Sequence, residues 1–157
     1  MPGDPFLEED SRVLTPEAFD FVLNNELKRA LRSQNFLTLL VVEPTSRPPS
    51  PPVDRSRAVQ QVARVVSREV RETDLLSQTG EGRLSIVLLD ADLPNSMRVV
   101  DRLMSRLEHY EFPTPLTIEV GAACCPTHGA DADSLRRAAE ARPVHRRDNR
   151  GNASNAQ

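Results

Sequence analysis

The chain has 157 residues, of which 38% are apolar and 27% charged, and its net charge is −3. That length fits one ordinary domain. No stretch approaches the roughly 20 apolar residues of a membrane span, and a net negative chain lacks the basic field that would draw nucleic acid. The start, MPGDPFLEED, is acidic and has no apolar signal core, so a cytoplasmic protein is expected. Of the 20 basic residues only Lys28 is lysine. The rest are planar guanidinium groups suited to guanine edges, phosphates and carboxylates.

Residues 1–13 read as a flexible lead-in. Thr15-Pro16-Glu17 combines a hydroxyl cap, a first-turn proline and an early acid, which predicts a helix over 15–33. Phe36 to Val42 is a continuous apolar run, the pattern of a strand covered on both faces. Five of the nine residues 44–52 are proline. A stiff surface loop over 44–53 is expected, with a motif for a proline-recognising domain as the other reading.

A second helix runs from about 54 to 71 on the stripe Ala58, Val59, Val62, Ala63, Val66 and Val70. Asp74 to Gln78 and Arg83 to Leu89 read as two short strands joined by a glycine hairpin at Gly80 and Gly82. A third helix follows over 93–110, then a strand over 116–124 and a helix over 134–141. The segment 143–157 has little apolar character and is expected to be disordered. Helices packed on one mixed central sheet, with the hairpin near its centre, give an α/β (α+β) class for residues 14–142.

Catalytic patterns are scarce. His109, His128 and His145 show no zinc spacing with Cys124 and Cys125, which read as two buried thiols. There is no nucleophile elbow and no phosphate-binding glycine loop. Asp90 and Asp92 could be paired carboxylates, but acids ahead of a helix more often cap it.

The order of elements resembles the GGDEF domain of diguanylate cyclases, bacterial enzymes that join two GTP molecules into cyclic di-GMP. The resemblance rests on Val62 to Ser67, Arg71 to Leu75, the hairpin, Leu84 to Leu89, Leu116 to Ala122 and Leu135 to Ala139, and spans about 14–141. It implies a fold of the class III nucleotidyl cyclase type. The signature turn, Gly-Gly-Asp/Glu-Glu-Phe in the family, stands here as Gly80-Glu81-Gly82-Arg83-Leu84. Where the family's acids hold metal, this chain has Gly82 and the cationic Arg83, and Glu81 sits one place early. Glu43 corresponds to the metal aspartate at the end of the first strand. The guanine-reading Asn and Asp of the next loop have no counterparts in the proline-rich stretch. These departures imply no catalytic residues, no metal and no cyclase activity.

Arg71-Glu72-Thr73-Asp74 stands five residues ahead of the turn, where many family members carry an Arg-x-x-Asp site that binds cyclic di-GMP. Arg98-Val99-Val100-Asp101 repeats the letters elsewhere, so position carries the weight. A guanidinium matches guanine O6 and N7, and a carboxylate matches N1–H and N2–H. The resemblance adds an arginine from the following helix, Arg102, with Arg98 one turn before it. The other reading makes Arg71 and Asp74 an ion pair at a helix–strand junction. Two functions are therefore carried forward. One is an inactive GGDEF domain that receives cyclic di-GMP, with a protein partner and a ligand-mediated homodimer. The other is a ligand-independent interaction scaffold.

Overall fold

The computed structural model describes residues 12–46, 54–80 and 82–149. The elements are α1 (Pro16–Ser33), β1 (Leu37–Ser46), α2 (Arg55–Val66), β2 (Leu75–Gln78), β3 (Leu84–Leu89), α3 (Leu93–His109), β4 (Leu116–Cys125), α4 (Ala132–Ala141) and β5 (Pro143–Asn149). Each helix begins on a side-chain cap: Thr15, Asp54, Asp92 and Asp131 accept the backbone N–H groups of Ala18, Arg57, Asn95 and Ser134. These oxygens satisfy donors that the first turn leaves unpaired. Asp92 is thus a helix cap. Asp90, in the left-handed region at φ 54°, faces Arg29 at 3.9 Å.

The five strands form one sheet in the order β2-β3-β1-β4-β5. All four pairings are antiparallel. The expected mixed sheet is therefore antiparallel, and the β2–β3 hairpin lies at an edge rather than near the centre. The strand at the centre is β1, and this explains its unbroken apolar run. Leu40 and Val42 enter the layer beneath α2 and α3, while Leu37, Leu39 and Val41 enter the layer beneath α1 and α4. A strand so placed buries both faces, at about 2 kcal/mol for each aliphatic side chain.

Pro44 belongs to β1, although proline there was expected to begin a loop. The β3 partner ends at Val42, so beyond it β1 is paired only with β4, and a missing N–H is tolerated at an edge. The remainder of the expected loop, 47–53, lies outside the described residues. Gly121 on β4 is required by close packing. A Cβ there would fall 1.9 Å from the Ala139 carbonyl oxygen of α4.

The segment 143–149, expected to be disordered, is β5. Its side chains toward α3 make polar contacts in place of apolar ones. Arg147 pairs with Glu108 at 2.6 Å, and the buried Asn149 amide donates to the carbonyls of Leu107 (2.6 Å) and Tyr110 (2.7 Å). Those carbonyls end α3 and have no helical donor, so Asn149 acts as a cap supplied from another strand. Residues 150–157 lie outside the described part. At the other terminus, Arg12 and Val13 are packed rather than free, and Val13 is 6% exposed. Cys124 and Cys125 are free and buried, and burial pushes both thiols up from their ordinary pKa. Among the described residues no helix is long and apolar enough to cross a membrane.

Candidate functional site

Two places hold the residues singled out by the sequence. The first is the hairpin end of the sheet. Gln78 pairs with Leu84, which leaves Thr79–Arg83 as the connection. Gly80 and Gly82 have φ of +62° and +78°, a conformation that only glycine adopts freely. Glu81 lies outside the described residues. Leu84 is buried in the core. Arg83 stands one step beyond the Val42–Leu84 pair, and so faces Glu43 across the β1–β3 ladder. Its Nε is 3.7 Å from Glu43 Oε2, and its other guanidinium nitrogen donates to Glu140 Oε2 of α4 at 3.2 Å.

Glu43 pairs in register with Glu119 of β4, and Glu119 with Arg146 of β5. A row of charges, Arg83–Glu43–Glu119–Arg146, therefore crosses four strands. Val41, Gly121, Ala139 and Pro143 complete a cleft around the first three and Glu140, with space of about 30 Å³. That is room for about two water molecules. Sequence reasoning had Glu43 and Arg83. It missed Glu119 and Glu140, because neither lies near the hairpin in the chain and only pairing register and the fold of α4 onto β4 bring them there.

The second place is the junction of α2 with β2. Arg71 and Asp74 are bonded to each other. Asp74 Oδ1 accepts from the Arg71 guanidinium at 3.3 Å and from the Leu89 N–H at 3.1 Å. Its Oδ2 accepts from the Arg71 N–H at 3.0 Å and from Arg71 Nε at 3.5 Å. The carboxylate is 3% exposed, and its four acceptor positions are all taken. Asp74 is thus a brace that closes the turn and ties it to the end of β3. The carboxylate expected to meet guanine is not presented to solvent. Arg71 is different: its side chain is 60% exposed, though it also donates to the Leu89 carbonyl.

Arg102 of α3 donates to the Glu69 carbonyl at 2.8 Å and lies 3.8 Å from the Glu69 carboxylate, with half its side chain exposed. Arg106 holds the same carboxylate at 2.6 Å. Arg98 is exposed one turn nearer the start of α3. Arg71 and Arg102 are therefore brought to one turn, with Arg98 flanking them on α3. Sequence reasoning missed Arg12, whose guanidinium reaches the same turn from the other side. No pattern in the chain links residue 12 to residue 71.

Among the described residues no three acidic, histidine or cysteine side chains form a metal-holding group. A 2-3-1-4-5 antiparallel sheet with helices on both faces, a glycine hairpin on β2–β3 and an arginine-rich turn before it define an α+β domain of the nucleotide-cyclase type. The family described as "Diguanylate cyclase, GGDEF domain" matches residues 56–152. The chain belongs to the GGDEF domain family.

Solved structures similar to it share the fold at low identity. The GGDEF domain of FimX from Pseudomonas aeruginosa matches with a TM-score of 0.73 at 14% identity, over 87% of this chain and 90% of that one. The GGDEF domain of DgcB from Caulobacter crescentus, solved in complex with c-di-GMP, matches with a TM-score of 0.71 at 12% identity, over 90% and 89%. The diguanylate cyclase SiaD of Pseudomonas aeruginosa, solved with its activator SiaC, matches with a TM-score of 0.67 at 16% identity, over 83% and 53%. No curated protein matches the chain.

Proposed function

We propose that this is a catalytically inactive GGDEF domain that receives cyclic di-GMP in the cytoplasm and signals by contacts with a protein partner. The observation that carries the inactive half is the Arg83–Glu43 pair. The resemblance places the acids that would hold a divalent cation at Gly82, Arg83 and Glu43. Here the first has no side chain and the second is a guanidinium, which cannot coordinate a cation, is ion-paired with Glu43 and donates a hydrogen bond to Glu140. The residues present do not fit a divalent cation, so no metal, cofactor or catalytic residue is assigned.

The receptor half rests on Arg71 of the turn and Arg102 of α3, whose half-exposed guanidinium groups meet that turn, with the exposed Arg98 one helical turn before Arg102. They supply donors for guanine O6 and N7 and positive charge for two phosphates. Asp74 enters as the brace that holds Arg71 rather than as a base-reading group. The DgcB domain solved with c-di-GMP supports a ligand of this class on this fold. A second protomer sharing the ligand would give a ligand-mediated homodimer.

The saturation of Asp74 favours a second reading, a scaffold that binds protein without nucleotide. SiaD with SiaC supports the idea of a protein partner. Calorimetric titration with cyclic di-GMP separates the two readings. The receptor reading expects saturable binding that Arg71→Ala weakens at least tenfold. No heat and no thermal shift at high ligand, or binding indifferent to Arg71→Ala, leaves the scaffold.

A further inference from the structure

The segment ahead of α1 is stitched to the outer edge of β2. Leu14 forms a parallel bridge with Ser77: its N–H donates to the Leu76 carbonyl at 2.7 Å, and the Ser77 hydroxyl donates to the Leu14 carbonyl at 2.9 Å. Val13 is sunk in the core layer under α2 and α3. Arg12 then reaches past the end of α2. Its guanidinium donates to the carbonyls of Ser67 (3.1 Å), Val70 (3.4 Å), Arg71 (2.6 Å) and Asp74 (2.8 Å).

These bonds have a specific physical effect. The Ser67 carbonyl lies at the C-cap of α2, where a guanidinium answers the negative end of the helix dipole, and the other three carbonyls belong to the turn that follows. Two of the four carbonyls belong to Arg71 and Asp74 themselves. Arg12 thus fixes the backbone of the turn whose side chains face outward on one side and brace Leu89 on the other. Two guanidinium nitrogens with four N–H groups reach four carbonyls here, whereas an ammonium has three donors on a single nitrogen.

We infer that Arg12 is a positioning residue for the Arg71–Asp74 turn, and that docking of the Arg12–Leu14 strap and binding of ligand on that turn are linked. The inference rests on the receptor reading above. With the strap docked, the turn is ordered before the ligand arrives. Without Arg12, ordering it subtracts from the binding free energy. Linkage is reciprocal, so the ligand in turn holds the strap against β2. Whatever changes the strap, such as a partner seizing it, changes affinity at the turn without touching Arg71.

The test uses the full chain, cyclic di-GMP calorimetry and amide hydrogen exchange. Arg12→Ala is expected to weaken binding about tenfold, and Arg12→Lys to restore only part of it. Without ligand, Arg12→Ala is expected to speed exchange of the Leu89 amide, which Asp74 holds. In the wild type, ligand is expected to slow exchange of the Leu14 amide. Thr15→Ala is the control for general destabilisation, because it removes the α1 cap and leaves the strap's own bonds in place. It is expected to keep wild-type affinity. A wild type that binds while Arg12→Ala binds equally well overturns this inference alone, as does an equal loss in Thr15→Ala. A wild type that binds nothing overturns the receptor reading and takes the linkage with it. Unchanged Leu89 exchange in Arg12→Ala then also refutes the ordering of the turn.

Discussion

Arg83 Nε faces Glu43 Oε2 at 3.7 Å across the β1–β3 ladder, and the proposed inactive reading rests on that cation standing where a metal-holding acid is expected. The chain has built a positive charge into that place and bonded it on to Glu140 of α4. Incubation with GTP and Mg²⁺ or Mn²⁺ is expected to give no cyclic di-GMP. Arg83→Glu is expected to remain inactive, because a single acid does not restore base reading. Product formed by the wild type, followed by chromatography, would end the inactive reading. Arg83 is 40% exposed, so Arg83→Ala should cost no more than about 1 kcal/mol of stability.

Asp74 is buried with two backbone N–H groups and one guanidinium on its oxygens. Asp74→Ala leaves the Arg71 and Leu89 amides without their acceptor and strips the charge partner from Arg71. A loss of about 3 kcal/mol is expected. Asp74→Asn keeps one acceptor oxygen and should cost about half as much. Urea unfolding midpoints at constant slope measure both. An Asp74→Ala variant as stable as the wild type would show that the brace is not needed.

His128 introduces a pH dependence of known sign. Its Nδ1 accepts the Cys124 N–H at 2.9 Å, so that nitrogen must be unprotonated. Burial, with help from Arg142, lowers its pKa from the ordinary 6.5. In the unfolded chain the imidazole gains its proton first as pH falls, which favours unfolding. The contribution is whole above about pH 6.5 and is lost as pH falls from there through the folded value. His128→Asn, whose side-chain oxygen can accept the same N–H without titrating, is expected to flatten thermal stability below about pH 6.5 relative to wild type. Parallel curves for the two proteins would remove His128 as the cause.

Asn149 closes the end of α3 from β5. Asn149→Ala removes the donor to the buried Leu107 carbonyl and is expected to cost about 2 kcal/mol. Hydrogen exchange should rise in the last turn of α3 and across β5 while the β1–β3 ladder stays protected. Uniform exchange across the sheet would contradict a local role.

Much of the architecture is legible in local pattern. The caps at Thr15 and Asp92, the 3.6-residue stripes of α2 and α3 and the two-faced run of β1 each follow from side-chain chemistry within a few residues. The segment 143–149 is the counterexample. Its strand is stabilised by pairing with β4 and by polar contacts with α3, so Pro-Val-His-Arg-Arg-Asp-Asn shows no apolar alternation to read. The hairpin's place at the sheet edge was hidden for a related reason, since the order of strands depends on contacts far apart in the chain.

The same division runs through the sites. The sequence by itself determined which groups exist: a hairpin reading Gly80-Glu81-Gly82, a cation at Arg83, and Arg71 and Asp74 ahead of the turn. Their side-chain chemistry is local and does not depend on the fold. Only the tertiary structure decided what those groups meet. It joined Arg83 to Glu43 and Glu140, filled every acceptor position of Asp74, and laid Arg12 across a turn some sixty residues away. Partners of a charge are selected by strand register and helix packing, which sum over the whole chain rather than over any one motif.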